Sequence, residues 1–242
     1  MKTIITIKIL VLFFFFSLNT SKVTSQNSDE KAIAIAEEVV NAMGGLDNYN
    51  NTKFIKWDFG KRKLFWDKWT GDVRIESPTD SLTILVNINS LTGKAFKGNT
   101  LVEDDSETEK LLNQGKNWWI NDSYWLVMPW KLQDPGVNLT YVKTEKLPNG
   151  NSADVLQLTF NAVGVTPENK YYVYVDQTDK LIKQWSFFKS FNDEDPKFTM
   201  LWDNYQKSGN ILLSFDRSVF GPKNVIVKQD FKEKLFTDLK YE

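Results

Sequence analysis

The side chains able to do chemistry in this chain are few in kind. The sequence holds no Cys and no His. That excludes disulfides, thiol nucleophiles, thiolate or imidazole metal sites and Ser-His-Asp hydrolysis. Carboxylates, tyrosines, lysines and nine tryptophans remain. Asp104, Asp105, Glu107 and Glu109 form one acidic group, and Asp193, Glu194 and Asp195 another. The first lacks the glycine and the terminal Glu of a calcium loop, and reads as the solvated start of a helix; the second reads as a loop. A glycosidase carboxylate pair is defined by its separation in space, which no spacing here prescribes. No cofactor and no metal is implied, and the expected activity is non-catalytic.

The aromatic residues carry more. Asn117 to Gly136 holds Trp118, Trp119, Tyr124, Trp125, Met128 and Trp130. Each indole N–H needs a partner when buried. Nine such rings therefore suggest either a filled core or an apolar cavity between a sheet and a helical lid. In the second case Trp57, Trp66, Trp69, Trp118, Trp119, Tyr124, Trp125, Met128 and Trp185 line the cavity, with Lys68 or Arg74 meeting an anionic headgroup. The run from Trp66 to Arg74 mixes charges between aromatics. It suits a polar rim for a headgroup or sugar, or a plain hairpin with cross-strand ion pairs of little surface value.

The elements that must position these residues are mostly strands. Ile55, Trp57 and Phe59 alternate with polar residues, and Leu82, Ile84, Val86 and Ile88 do the same. Turn signals at Thr70-Gly71-Asp72, Ser77 to Asp80, Pro148-Asn149-Gly150 and Gln177-Thr178-Asp179 separate such runs, which predicts an antiparallel meander of roughly ten strands. Ala32 to Met43 shows helical spacing, with Ser28 as its expected N-cap and Gly44-Gly45 as its stop. In mid-chain, one helix is expected to end near Gly115. A second, short one is expected to be capped by Asn121, Asp122 or Ser123 and stopped by Pro129. If that second helix is a lid, Trp118, Trp119 and Trp125 face the sheet and Asp122 faces water. The expected fold class is mainly β (α+β): a curved antiparallel sheet or incomplete barrel covered by an N-terminal helix and mid-chain helices.

Residues 1–25 read as a secretory signal. Lys2 and Lys8 precede the apolar run Ile9 to Phe16, and cleavage is placed before Gln26. The run is shorter than the ~20 residues of a spanning helix. No Cys stands near the cleavage site for lipid attachment. The formal charge of −1 includes Lys2, Lys8 and Lys22, so without residues 1–25 it is −4. That balance gives no overall pull towards nucleic acid. Arginine occurs only at Arg62, Arg74 and Arg217. Residues 26–242 are long enough for one domain with a sizeable core. A monomer is expected in the periplasm or outside the cell, with a hydrophobic or lipid ligand as partner, and with peripheral contact to the membrane or envelope proteins.

The succession of N-terminal helix, strands, mid-chain helices and further strands, behind a secretion signal, resembles the periplasmic lipoprotein carriers LolA and LolB. The resemblance implies an open barrel lidded by helices that holds acyl chains, and transfers no residue position by position. Four segments, Trp66 to Arg74, Trp119 to Leu126, Met128 to Leu132 and Gly164 to Lys170, resemble an uncharacterised family of secreted Gram-negative proteins, which brings no known activity. The function expected is binding of a hydrophobic or amphipathic molecule such as an acyl chain, a lipid or a lipidated protein. Carbohydrate binding on exposed Trp and Tyr is the alternative, and a carboxylate-dependent enzyme the third reading.

Overall fold

A computed structural model describes residues 28–161, 166–218 and 221–241. The secretory signal expected at 1–25, and Gly164-Val165 of the last resembling segment, lie outside the described residues. The fold is mainly β and antiparallel, with open sheets and helices packed on them.

Short alternating segments joined by tight turns can only pair antiparallel with their neighbours. The first sheet follows this rule strand by strand. It contains β1 (Phe54–Phe59), β2 (Arg62–Asp67), β3 (Asp72–Ser77), β4 (Leu82–Asn87), β5 (Thr92–Lys97) and β6 (Thr100–Leu101) in chain order. β14 (Lys223–Lys228) adds to its far edge beside β1. The second sheet is a meander of β7 (Val137–Lys146), β8 (Ser152–Phe160), β9 (Lys170–Asp176), β10 (Ile182–Phe188) and β11 (Phe198–Leu201). β12 (Asp203–Ser208) and β13 (Ile211–Asp216) form a separate hairpin. Fourteen strands are described where roughly ten were expected, because very short edge strands and the split of 198–208 into two carry little alternation to read. Among the described residues no helix is long and apolar enough to cross a membrane.

Among the described residues three α-helices pack on the sheets: α1 (Glu30–Ala42), α2 (Leu46–Asn51) and α3 (Asp105–Val127). α1 begins one residue later than expected. Asp29 is its N-cap, with Oδ1 accepting from Ala32 N at 2.7 Å. Ser28 Oγ instead accepts from Leu139 N at 2.8 Å, tying the helix start to β7. Ala32, Ile35, Ala36 and Val39 form its buried face. The inner faces of both sheets share one core with α1 and α3, in which Leu64, Ile75, Ile84, Leu156 and Val173 are among the buried residues.

The largest departure from expectation is α3. It is one continuous helix of 23 residues, capped by Asp104, whose Oδ1 accepts from Glu107 N at 2.7 Å. Gly115 does not end it. A Cβ at Gly115 would stand 2.8 Å from Ile84 Cγ2 and 3.4 Å from Val86 Cγ1. The glycine therefore lets the helix approach β4 closely, and that packing outweighs a helix-propensity cost of about 1 kcal/mol. Asn121, Asp122 and Ser123 lie inside the helix rather than capping it, and Pro129 does mark its end. Gly115→Ala is expected to lower stability by about 1–2 kcal/mol. Overpacking costs about 1–3 kcal/mol, and the better helix propensity of Ala offsets part of it. Urea unfolding of the variant measures the net sign; a more stable protein would show that β4 yields freely.

Candidate functional site

α3 bridges the two sheets. Its first half packs on β3, β4 and β5. In its last third Asp122, fully buried, accepts two bonds from Arg62 on β2, from Nε and Nη2, both at 2.7 Å. These contacts fix the rotation of the helix about its axis. Tyr124, Trp125 and Met128 are thereby carried over the second sheet, and between them and that sheet lies a cleft of about 580 Å³.

The floor of the cleft is a run of aromatic rings across four strands. Phe187 on β10 pairs with Tyr171 on β9 and with Phe198 on β11. The ring centroids are 5.8 and 5.2 Å apart. Phe160 from β8 meets Tyr171 edge-on at 5.5 Å. Trp185, two residues before Phe187 and therefore on the same face of β10, lies 5.0 Å from Tyr171. The roof comes down on these rings: Trp125 stands 5.0 Å from Trp185, and Tyr124 stands 5.7 Å from Tyr171. Val137, Leu158, Ile120 and Met128 fill the remaining apolar wall. Asn117, Asn121, Thr166 and Asn169 contribute neutral polar groups. The charged residues among the described lining, Lys131 and Asp134, are ion-paired with each other.

Burial pushes the Tyr124 hydroxyl well above the usual phenol range, and neighbouring Tyr171 adds to this while the Trp185 indole opposes it. Tyr171 is raised too, again by burial first. Both phenols are neutral at any physiological pH, so the cleft carries no phenolate for acid–base work. Among the described residues no cluster of acidic, His or Cys groups is arranged to hold a metal ion.

Behind the roof sits Arg217, which is completely buried. Its Nη2 donates to Trp125 O at 2.9 Å, its Nη1 donates to Ser214 Oγ and Asp216 O, and its guanidinium lies 3.2 Å from the Trp202 ring centroid. A cation at the last turn of α3 suits the negative end of the helix dipole. Burial lowers its pKa, partly offset by Tyr205 and Asp216. Arg217 thus ties down the backbone that carries Trp125.

Of the eleven residues singled out in the sequence, Trp119, Tyr124, Trp125, Met128 and Trp185 line the cleft. The other six lie elsewhere. Trp57 is fully buried in the shared core, and Trp66 packs edge-on against Trp119 in the same core at 5.1 Å. Trp118 sits beside Arg62, 4.9 Å from its guanidinium. Trp69 is 59 % exposed in the β2–β3 turn, donating its indole N–H to Asn50 O. Lys68 donates to the carbonyls of Tyr49 and Thr52 at the end of α2 and lies over the Tyr49 ring; burial, helped by Lys131, lowers its pKa to about 8. Arg74 is on the opposite face of the first sheet, bonded to carbonyls of the C-terminal segment. The run Trp66 to Arg74 is a hairpin, its turn held by Asp67 Oδ1, which accepts from Trp69 N and Thr70 N. Asp122, expected in water, is buried, because its guanidinium partner comes from a strand 60 residues away.

Phe160, Tyr171, Phe187 and Phe198 were not singled out. Their period-two spacing puts Tyr171 and Val173, and Trp185 and Phe187, on common strand faces. It did not say which face a helix would cover.

No protein family's sequence profile matches the chain, and no curated protein matches it. Among solved structures it is similar to a DUF1329 family protein from Desulfovibrio piger, at 11 % sequence identity and a TM-score of 0.44, over 87 % of this chain and 99 % of that one.

Proposed function

We propose that this protein binds a hydrophobic or amphipathic molecule in the cleft between α3 and the second sheet, without transforming it, in the periplasm or outside the cell. The observation that supports the reading is the cleft itself: about 580 Å³ with aromatic walls on two sides. Ligand pockets span about 300–1,000 Å³ and are mainly apolar with a few polar groups at fixed places. Apolar burial supplies the affinity, and the amides at the rim orient the ligand. Acyl chains, lipids and lipidated proteins are candidate ligands, a role of the LolA and LolB kind. Carbohydrate binding draws less support, since the one largely exposed indole, Trp69, stands alone in its turn.

The test is uptake of the apolar fluorophore N-phenyl-1-naphthylamine, together with native mass spectrometry of protein isolated from its source. Saturable one-site fluorescence enhancement is expected. Phe198→Asp, a change at the rim where the ring is 40 % exposed, is expected to weaken it at least tenfold. Protein that is always empty and takes up no probe overturns the proposal.

A further inference from the structure

Resting on that binding site, we infer that its ligand is an uncharged compound with a planar conjugated ring system and oxygen substituents at its edge, rather than an acyl chain. Two features of the cleft point there. The first is the kind of apolar surface. Much of the chain's core is aliphatic, built of residues such as Ile75, Ile84 and Leu156. The cleft is lined by rings on both sides, with Tyr124 and Trp125 above and Tyr171, Trp185, Phe187 and Phe198 below. Trp185 and Phe187 lie within 8° of parallel at 6.1 Å, while Tyr171 and Phe198 tilt from Phe187 by 33° and 39°, so the floor offers both aligned and angled rings. Aromatic faces gain from offset stacking and edge contacts with another π-system beyond what area burial gives. A saturated chain gains only the area term, which Leu and Ile would supply equally well.

The second feature is charge. Among the described residues lining the cleft the charged ones are Lys131 and Asp134, and each is the other's partner. Lys68 and Arg74, the cations expected to meet a headgroup, are bonded to backbone carbonyls elsewhere. A carboxylate or phosphate drawn into the cleft would lose its hydration without an unpaired cation to replace it. Asn117 offers an amide donor and acceptor instead, and Asn121 and Asn169, whose amide nitrogens already donate to Asp122 and to Thr166 and Tyr171, offer carbonyl oxygens, suited to hydroxyl or carbonyl groups on a ring.

Isothermal titration with 2-methyl-1,4-naphthoquinone and with palmitate, at one pH, tests the inference. The quinone is expected to bind at least tenfold more tightly. Phe187→Leu and Phe198→Leu keep apolar area but remove rings. Each is expected to weaken the quinone at least threefold and to leave palmitate within twofold. Palmitate binding as tightly as the quinone, or Leu variants that weaken both probes equally, overturns the inference and leaves the binding function standing. Failure of both probes, with N-phenyl-1-naphthylamine also excluded, overturns the two together.

Discussion

Arg62→Met is expected to destabilise the protein by about 3–5 kcal/mol, the range for removing one partner of a buried ion pair. The carboxylate of Asp122 is completely buried inside α3, and Arg62 supplies both of its guanidinium bonds. Without them it keeps the side-chain amide of Asn121, whose Nδ2 donates to Oδ1 at 2.9 Å. One neutral hydrogen bond does not balance a desolvated charge. The reverse change, Asp122→Leu, is expected to cost less. The Arg62 side chain keeps 24 % of its surface in solvent and can hydrate its own charge. The double variant Arg62→Met/Asp122→Leu removes both charges together and is expected to recover most of the loss, as apolar replacement of buried pairs commonly does. Urea unfolding of the two single variants and the double one yields the coupling energy. A loss below about 1 kcal/mol for Arg62→Met would mean that water reaches Asp122 once the guanidinium is gone. Since this pair fixes the rotation of α3, Arg62→Met is also expected to weaken probe binding in the cleft.

Arg74→Ala is expected to cost about 3–5 kcal/mol as well, with its damage elsewhere. Arg74 is 3 % exposed on the outer face of the first sheet. Nη1 donates to Leu235 O and Asp238 O, at 3.2 and 2.8 Å, and Nη2 to Leu239 O at 2.8 Å. Nε donates to Glu76 at 2.6 Å, and the Tyr241 ring lies 4.4 Å from the guanidinium. Phe54 and Phe65 hold Phe231 of the same segment at 5.0 and 6.0 Å. One planar cation thus gathers three carbonyls of a segment that has a single 3-10 turn, Glu233–Phe236, of its own. Charge-assisted bonds are worth about 1.5–3 kcal/mol each when partners are buried. Truncation frees the carbonyls to reach water only if the segment lifts away. The loss should therefore appear first as local opening: amide exchange at Leu235, Thr237 and Asp238 accelerates, and trypsin cuts at Lys232 and Lys234 before the domain unfolds. Probe uptake in the cleft is expected to be unchanged, because Arg74 faces away from it. Lost uptake in a folded Arg74→Ala protein would restore Arg74 as a headgroup ligand.

These two arginines show where reading the chain residue by residue stops. Arg62 and Arg74 stand twelve positions apart on neighbouring strands. One is drawn to a helix 60 residues away and the other to a segment more than 160 residues away. Nothing within either strand distinguishes them. Alternation tells which residues share a face, as Ile55 does with Trp57 and Ile84 with Val86. It is silent on what covers that face.

What the sequence determined by itself is the local part of the fold. Period-two apolar runs and turn residues dictated antiparallel strands, and the spacing of Ala32 to Val39 dictated an amphipathic N-terminal helix. The absence of Cys and His removed whole classes of chemistry, and Asn117 to Gly136 was marked as the aromatic centre of the chain. Tertiary structure decided the rest. It kept α3 continuous through Gly115, because the close approach to Ile84 outweighs propensity, and it buried Asp122, because a guanidinium from β2 meets it there. It also chose Tyr124 and Trp125 from the aromatic stretch to face Tyr171, Trp185 and Phe187. A helix buries whichever stripe its anchors turn inward, and the anchors of α3 lie on strands far from it in the chain.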